Sequence, residues 1–278
     1  MSMKEAWRFA SASLRGFTWG AYAPFFWILA IEVIYLFLSV NLGAPWGMAT
    51  AGALAARIAG DGTRHYPAIF VALPAIFSYV DAALYTVLGA AFIPLAITRV
   101  LRAPSRAPGR APTASRVRGA VLPTFLAFAL VLVLLFFWEI AIPRIVAPLV
   151  AIAVRLGPLA NLVTWVVGVL VGLALSALAL CVPIVAVREG GGLRALGAGF
   201  GDGFRFLPSN YPIIVLFSAP ALVIQAIVQL MGGLLVNRLT PEVMPVLLLA
   251  YAILASLANY FVYSAATRLH ASAVREGA

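Results

Sequence analysis

The chain is short of nearly every residue that catalysis in water relies on. Its one cysteine, Cys181, sits in a hydrophobic run. That excludes an intrachain disulfide and leaves no second thiol to share a metal. Its two histidines, His65 and His270, fall outside the core of any apolar stretch, so no haem or chlorophyll is ligated through membrane histidines. No HExxH, phosphate-binding loop of Walker type, cysteine cluster or serine-nucleophile elbow is present. The glycine run Gly190–Gly192 lacks the spacing and strand context that phosphate binding needs. Asp81 has no second aspartate in another apolar run, which argues against an aspartyl intramembrane protease.

Charge is scarce as well. Only 10% of the 278 residues are charged and 64% are hydrophobic. Soluble domains run at roughly 45–50% apolar and about 25% charged. A water-soluble fold needs wet helix faces and cannot hide such an excess, whereas a bilayer accepts apolar faces outward. The expectation is a single all-α domain over residues 1–278, a polytopic integral membrane protein. Its first long apolar run opens well inside the chain, carries Glu32 and is too long for a typical signal, so no cleavable signal peptide is expected.

Six runs exceed the ~20 residues a helix needs to cross hydrocarbon: 17–40, 67–98, 121–143, 159–187, 211–235 and 244–267. Pro67 and Pro74 suggest an entry turn or kink in the second. The connectors Gly47–Gly60 and Arg144–Pro158 are apolar and read as interfacial or re-entrant pieces. Orientation comes from the 19 basic residues. With the N-terminus inside, 14 lie in inner segments and 5 in outer ones, which places both termini in the cytoplasm. The formal charge of +10 is thus a topology signal, and no nucleic-acid partner is expected.

The inner loop 99–119 is rich in Pro, Ala and Arg and reads as an extended linker. Arg99, Arg102, Arg106, Arg110, Arg116 and Arg118 are expected at anionic lipid headgroups, with a docking role the alternative. The segments Glu5–Phe17 and Gly192–Phe206 both lead into long spans through an inner-interface stretch, a layout that hints at a parallel repeat. Trp19, Trp46, Trp138, Trp165, Tyr66 and Tyr211 fall toward segment ends as interfacial anchors.

Three carboxylates fall in or near hydrocarbon. Glu139, near the outer end of span three, pairs most simply with Arg144 at the interface. Glu32 and Asp81 lie deeper, on sequential spans, with no Lys or Arg inside any span to neutralise them. Either they hydrogen-bond to hold helices together, with Tyr79, Tyr85, Asn259 or Thr164 as partners, or they form a site that shares a proton or binds a cation. Asn259 is a candidate interhelical hydrogen bonder, and Gly168, Gly172 and Ser176 make a small-residue stripe suited to close packing.

Within Pro183–Phe206, residues Pro183, Glu189, Gly190, Ala195, Leu196, Gly203 and Arg205 follow a pattern of span-ending proline, acidic residue and glycine, Ala-Leu and an aromatic/basic stretch. This resembles the bacterial multi-pass family related to the membrane domain of glycerophosphoryl diester phosphodiesterases. Small residues stand here where a serine often follows Ala-Leu in that family. The resemblance implies a bacterial inner-membrane location and an accessory membrane domain. It implies no phosphodiester hydrolysis, since catalysis there belongs to a separate soluble domain and no polar stretch here is long enough to form one.

The leading expectation is therefore a non-enzymatic membrane subunit or scaffold of a bacterial inner-membrane complex, partnered by other integral membrane subunits. No cofactor is expected, and a bound phospholipid is compatible with the spans. The alternative is a proton- or cation-coupled transporter using Glu32 and Asp81, and a lipid-acting enzyme ranks third. A dry core favours the subunit, and a cavity converging on Glu32 and Asp81 favours transport.

Overall fold

The computed structural model of the chain describes residues 3–40, 53, 56–57, 60–61, 68–102, 114–153, 158–238 and 243–276. The elements among them are helices: α1 (Met3–Arg15), α2 (Trp19–Val40), α3 (Ala68–Arg102), α4 (Ala114–Ala153), α5 (Pro158–Ala179), α6 (Cys181–Glu189), α7 (Leu193–Arg238) and α8 (Val243–Glu276). Six stretches are long and apolar enough to cross a membrane, with α5 and α6 forming one of them. The multi-pass membrane protein expected from composition is the architecture observed.

Several helices outrun the apolar segments that announce them. Helix α3 continues through Arg99 and Arg102, and α4 begins before Arg116 and Arg118, so those four arginines stand on helix ends rather than in a linker. The extension of α3 stops two residues before Pro104, and a proline disfavours helical geometry in the residue preceding it. Arg106 and Arg110 lie outside the described residues, as does most of Gly47–Gly60. The connector after Pro143 is a continuation of α4 as far as Ala153. The Gly192–Phe206 segment is likewise continuous with span five in α7, whereas a break at Gly16–Thr18 separates α1 from α2. The two halves of the supposed repeat differ at this point.

Several prolines sit inside helices without ending them, as transmembrane helices tolerate. Pro74 and Pro94 sit inside α3, and Thr98 Oγ1 donates to the Pro94 carbonyl at 2.9 Å. Pro183 acts differently. It lacks the N–H that would reach Ala179, the residue at which α5 gives way to α6. Three glycines with positive φ, Gly190, Gly191 and Gly192, then turn the chain into α7. A side chain on Gly191 would collide with the backbone of Gly119 at the start of α4.

Spans pack in chain order, α2 on α3, α3 on α4, α4 on α5 and α6, these on α7, and α7 on α8. Helix α8 closes the ring against α2 and carries α1 across its last turns. Both terminal segments therefore lie at one end of the bundle, where Arg268 Nη1 donates to the Ala12 carbonyl at 2.9 Å.

Among the described residues most of the buried core falls into two main clusters, with smaller groups around Ile76 and Val182. The larger cluster lies toward the end with the termini and includes Phe25, Ile93, Ile97, Ile184, Ile213 and Tyr260. Tyr260 is its hub: its ring meets those of Phe17, Tyr22, Phe25 and Phe261 at centroid distances of 5.1 to 6.0 Å. Its hydroxyl accepts the Thr18 N–H at 3.3 Å, fastening the α1–α2 turn to α8. The smaller cluster, with Leu36, Leu73, Phe77, Met244 and Leu248, lies at the other end.

Gly199 and Gly203 of α7 permit a close approach to α6 and α5. A Cβ on Gly199 would meet Val182 Cα at 2.5 Å, and one on Gly203 would run into the Leu178 carbonyl. Their i, i+4 spacing places both on one face. Gly197 and Gly201, on the opposite face, have open space around them. Opposite signs are therefore expected. Gly203→Ala overpacks a backbone contact and destabilises by about 1–3 kcal/mol. Gly201→Ala gains helix propensity, by roughly 0.5–1 kcal/mol. Thermal unfolding of the two variants in detergent checks this.

Candidate functional site

Between the two core clusters the helices part around a cavity of about 370 Å³ to which all six spans contribute lining residues. The positions follow the gap along each helix. On α3, Asp81, Tyr85 and Thr86 fall between the cluster residues Phe77 and Ile93. On α8, Ser256 and Asn259 fall between Ala252 and Tyr260. Ser218 on α7 and Ser176 on α5 complete a polar lining in otherwise apolar walls.

Glu32 of α2 is buried, and it lines the cavity together with Asp81 of the neighbouring helix α3. An acidic side chain at a span centre costs on the order of 3 kcal/mol in an insertion scale. Two of them together demand local compensation. None comes from a cation among the described residues, since no Lys or Arg among them lines the cavity. Tyr251 of α8 lies on the same wall, and Tyr85 Oη is buried beside Tyr263 without completing a hydrogen bond. The hydroxyl of Tyr22 pairs with Ser256 Oγ at 3.2 Å, and Ser256 Oγ also reaches the Phe25 carbonyl at 3.3 Å. These bonds tie α2 to α8 just beneath the cavity.

Sequence reasoning singled out Glu32, Asp81 and Asn259, and the structure brings all three to one cavity. It does not bring Tyr79 there; that side chain is exposed. Within the small-residue stripe, Gly168 and Gly172 face α4 and Ser176 faces the cavity. Ser176 is exposed to the cavity, and Cβ atoms on Gly168 and Gly172 would sit at 3.9 and 3.6 Å from Trp138 Nε1 and Leu135 Cδ2, ordinary contact distances. The side chains of Glu139, Arg144 and Thr164 lie outside the described residues. So do Trp46 and Tyr66.

A second polar constellation, which the sequence did not announce, lies at the end with the termini. His270 of α8 is buried, with Nε2 2.6 Å from Asp202 Oδ2 of α7 and Nδ1 2.5 Å from Arg188 Nη1 of α6. A guanidinium offers only donors, so Nδ1 accepts and Nε2 carries the proton toward the carboxylate. The imidazole is neutral in this arrangement and joins three helices. The Arg188 carbonyl in turn accepts from Arg116 Nη1 at 2.8 Å, and Arg99 Nη1 donates to the Gly20 carbonyl at 2.5 Å. Arginines that topology alone explains are thus also pins between helix ends. Sequence placed His270 beyond the last span; α8 runs on past it to Glu276.

Comparison with protein families, curated proteins and solved structures finds no match to this chain. The residues on which the family resemblance rests have local structural roles: Pro183 marks the α5–α6 break, Gly190 caps α6 in the left-handed region, and Gly203 allows the α7–α5 approach.

The His270 cluster makes a graded prediction. Asp202→Asn keeps an acceptor for Nε2–H and lowers stability least. His270→Phe preserves the ring contact with Phe206, whose centroid is 5.3 Å away, but strands Asp202 and Arg188. The expected loss is about 1–3 kcal/mol, read as a larger fall in melting temperature than for Asp202→Asn.

Proposed function

We propose that the protein is a membrane transporter whose central cavity binds a small molecule, with Glu32 and Asp81 as the coupling pair. The observation that carries this reading is the cavity itself, set between two dry clusters and converging on both carboxyls. A subunit that only packs against neighbours has no use for a void of that size. Empty space lined by polar groups costs dispersion contacts and leaves hydrogen-bonding capacity unused. The volume falls at the small end of ligand sites, roughly 300–1,000 Å³. The exposed apolar flank of α4, with Phe136 and Phe137, is covered equally well by lipid and so does not favour a partner chain.

Two carboxyl groups lining one largely apolar cavity, with no cation beside them among the described residues, disfavour a doubly charged state and so hold a proton between them. Such a pair exchanges its proton when a ligand or a water path reaches it. Location in a bacterial inner membrane is part of the same proposal and rests on the family resemblance, while the orientation with the arginine-rich end inside rests on the basic-residue bias.

Dicyclohexylcarbodiimide, an apolar reagent for protonated carboxyls, tests the shared proton. We expect labelling of Glu32 or Asp81, located by peptide mass spectrometry, and its loss in the Glu32→Gln, Asp81→Asn double variant. A pair left unlabelled at neutral pH in the folded protein counts against the coupling role. Access is tested separately with Ser218→Cys in a Cys181→Ala background, where a small maleimide is expected to react at the cavity wall.

A further inference from the structure

The cavity also carries information about its ligand, and the inference rests on the transport reading above. From the walls we infer that the substrate class is a small lipophilic organic monocation, taken up in exchange for the proton held by Glu32 and Asp81. The signs decide first. Among the described residues the lining offers two carboxyl groups and no basic side chain, so an anion meets no counter-charge there and a neutral molecule leaves the acidic pair unused. The faces decide next. Phe25, Tyr85, Phe128 and Tyr251 line the same walls as the carboxyls, and aromatic faces attract cations through the ring quadrupole, most strongly where water is scarce.

Size separates an organic cation from a metal ion. A bare Ca²⁺ asks for roughly 6–8 oxygens at about 2.3–2.6 Å. A cavity of about 370 Å³ lined mostly by Ile, Leu, Val, Ala and Phe cannot close such a shell around an ion. It does match an alkyl- or arylammonium group, whose charge sits behind carbon and needs proximity to a carboxylate rather than coordination.

The exchange balances. With the cavity empty, the pair carries one proton and one negative charge. An entering monocation meets that carboxylate. Its added positive charge also makes loss of the remaining proton favourable, since two carboxylates facing a cation repel less than two facing each other alone. One proton leaves for each cation bound, and no bond other than the O–H is broken. Asn259 and Ser256 line the cavity as neutral dipoles throughout.

The experiment uses the purified full chain with two probes of the same shape, benzyltrimethylammonium and its neutral isostere neopentylbenzene. Binding is read as protection against maleimide of the thiol introduced by Ser218→Cys in the Cys181→Ala background. Proton release is read with a pH indicator in weak buffer. We expect protection by the cation alone, with about one proton released per cation bound, from the stoichiometry above. Asp81→Asn is expected to weaken cation binding at least about tenfold, as for loss of a buried charged partner, and to abolish proton release. Asp81→Glu should restore part of both, and monodisperse elution shows that each variant is folded. Protection by both probes alike, without proton release, overturns the cation assignment while leaving the cavity as a binding site. Cation binding without proton release overturns the exchange. An introduced cavity thiol that reacts with nothing and is protected by nothing sinks the transport reading and this inference with it.

Discussion

Hydrocarbon gives a polar group nowhere to go, and that constraint organises this protein. Each charge inside the span region has to be placed against something the protein supplies. The chain meets the constraint in two ways. At the end with the termini, cations meet carbonyl oxygens and a histidine: Arg99 with Gly20, Arg116 with Arg188, Arg268 with Ala12, and Arg188 with His270, which also holds Asp202. In the middle, the two acidic groups meet at a cavity. The first arrangement matches donors to acceptors and holds helices in place. The second leaves capacity over, which is what a ligand needs.

Much of this was legible in the sequence, for a physical reason. Apolar runs of membrane length force helices, and basic residues crowd the segments between alternate runs, so spans and a common end for both termini follow from counting. Glu32, Asp81 and Asn259 stand out because a lone polar residue in an apolar run is expensive unless it has a purpose. What sequence does not carry is helix rotation. These spans are apolar on every side, so the periodicity that would point a face inward is flat. Tyr85 was among the partners considered for Glu32 and Asp81, but Tyr251, Ser218 and Ser256 could not be assigned to the cavity beforehand. The same blindness explains the small-residue stripes. Gly168, Gly172 and Ser176 share the spacing of Gly199 and Gly203, but only the second pair meets a facing backbone. His270 was placed outside the bundle because Arg268 precedes it, yet an arginine at a helix end can bond to a neighbouring carbonyl and let the helix continue.

The division of the core gives the two ends unequal strength. The cluster near the termini is the larger, is knitted by edge-on rings around Tyr260, and is reinforced by the His270 chain and the Gly199–Gly203 contact. Among the described residues, the cluster beyond the cavity is held by aliphatic, aromatic and thioether contacts, with no ring hub like Tyr260. Opening a path to the cavity through the larger cluster would separate Tyr260 from four rings and strand Asp202 and Arg188 at once. Opening through the smaller one would mainly expose Leu36, Leu73, Phe77, Met244 and Leu248 to lipid or water. Lipid is as good a solvent for those side chains as the protein interior. If the protein is the transporter proposed above, this balance of costs favours a path to Glu32 and Asp81 that opens beyond the cavity, on the side away from the termini, with the aromatic and histidine-linked end as its base.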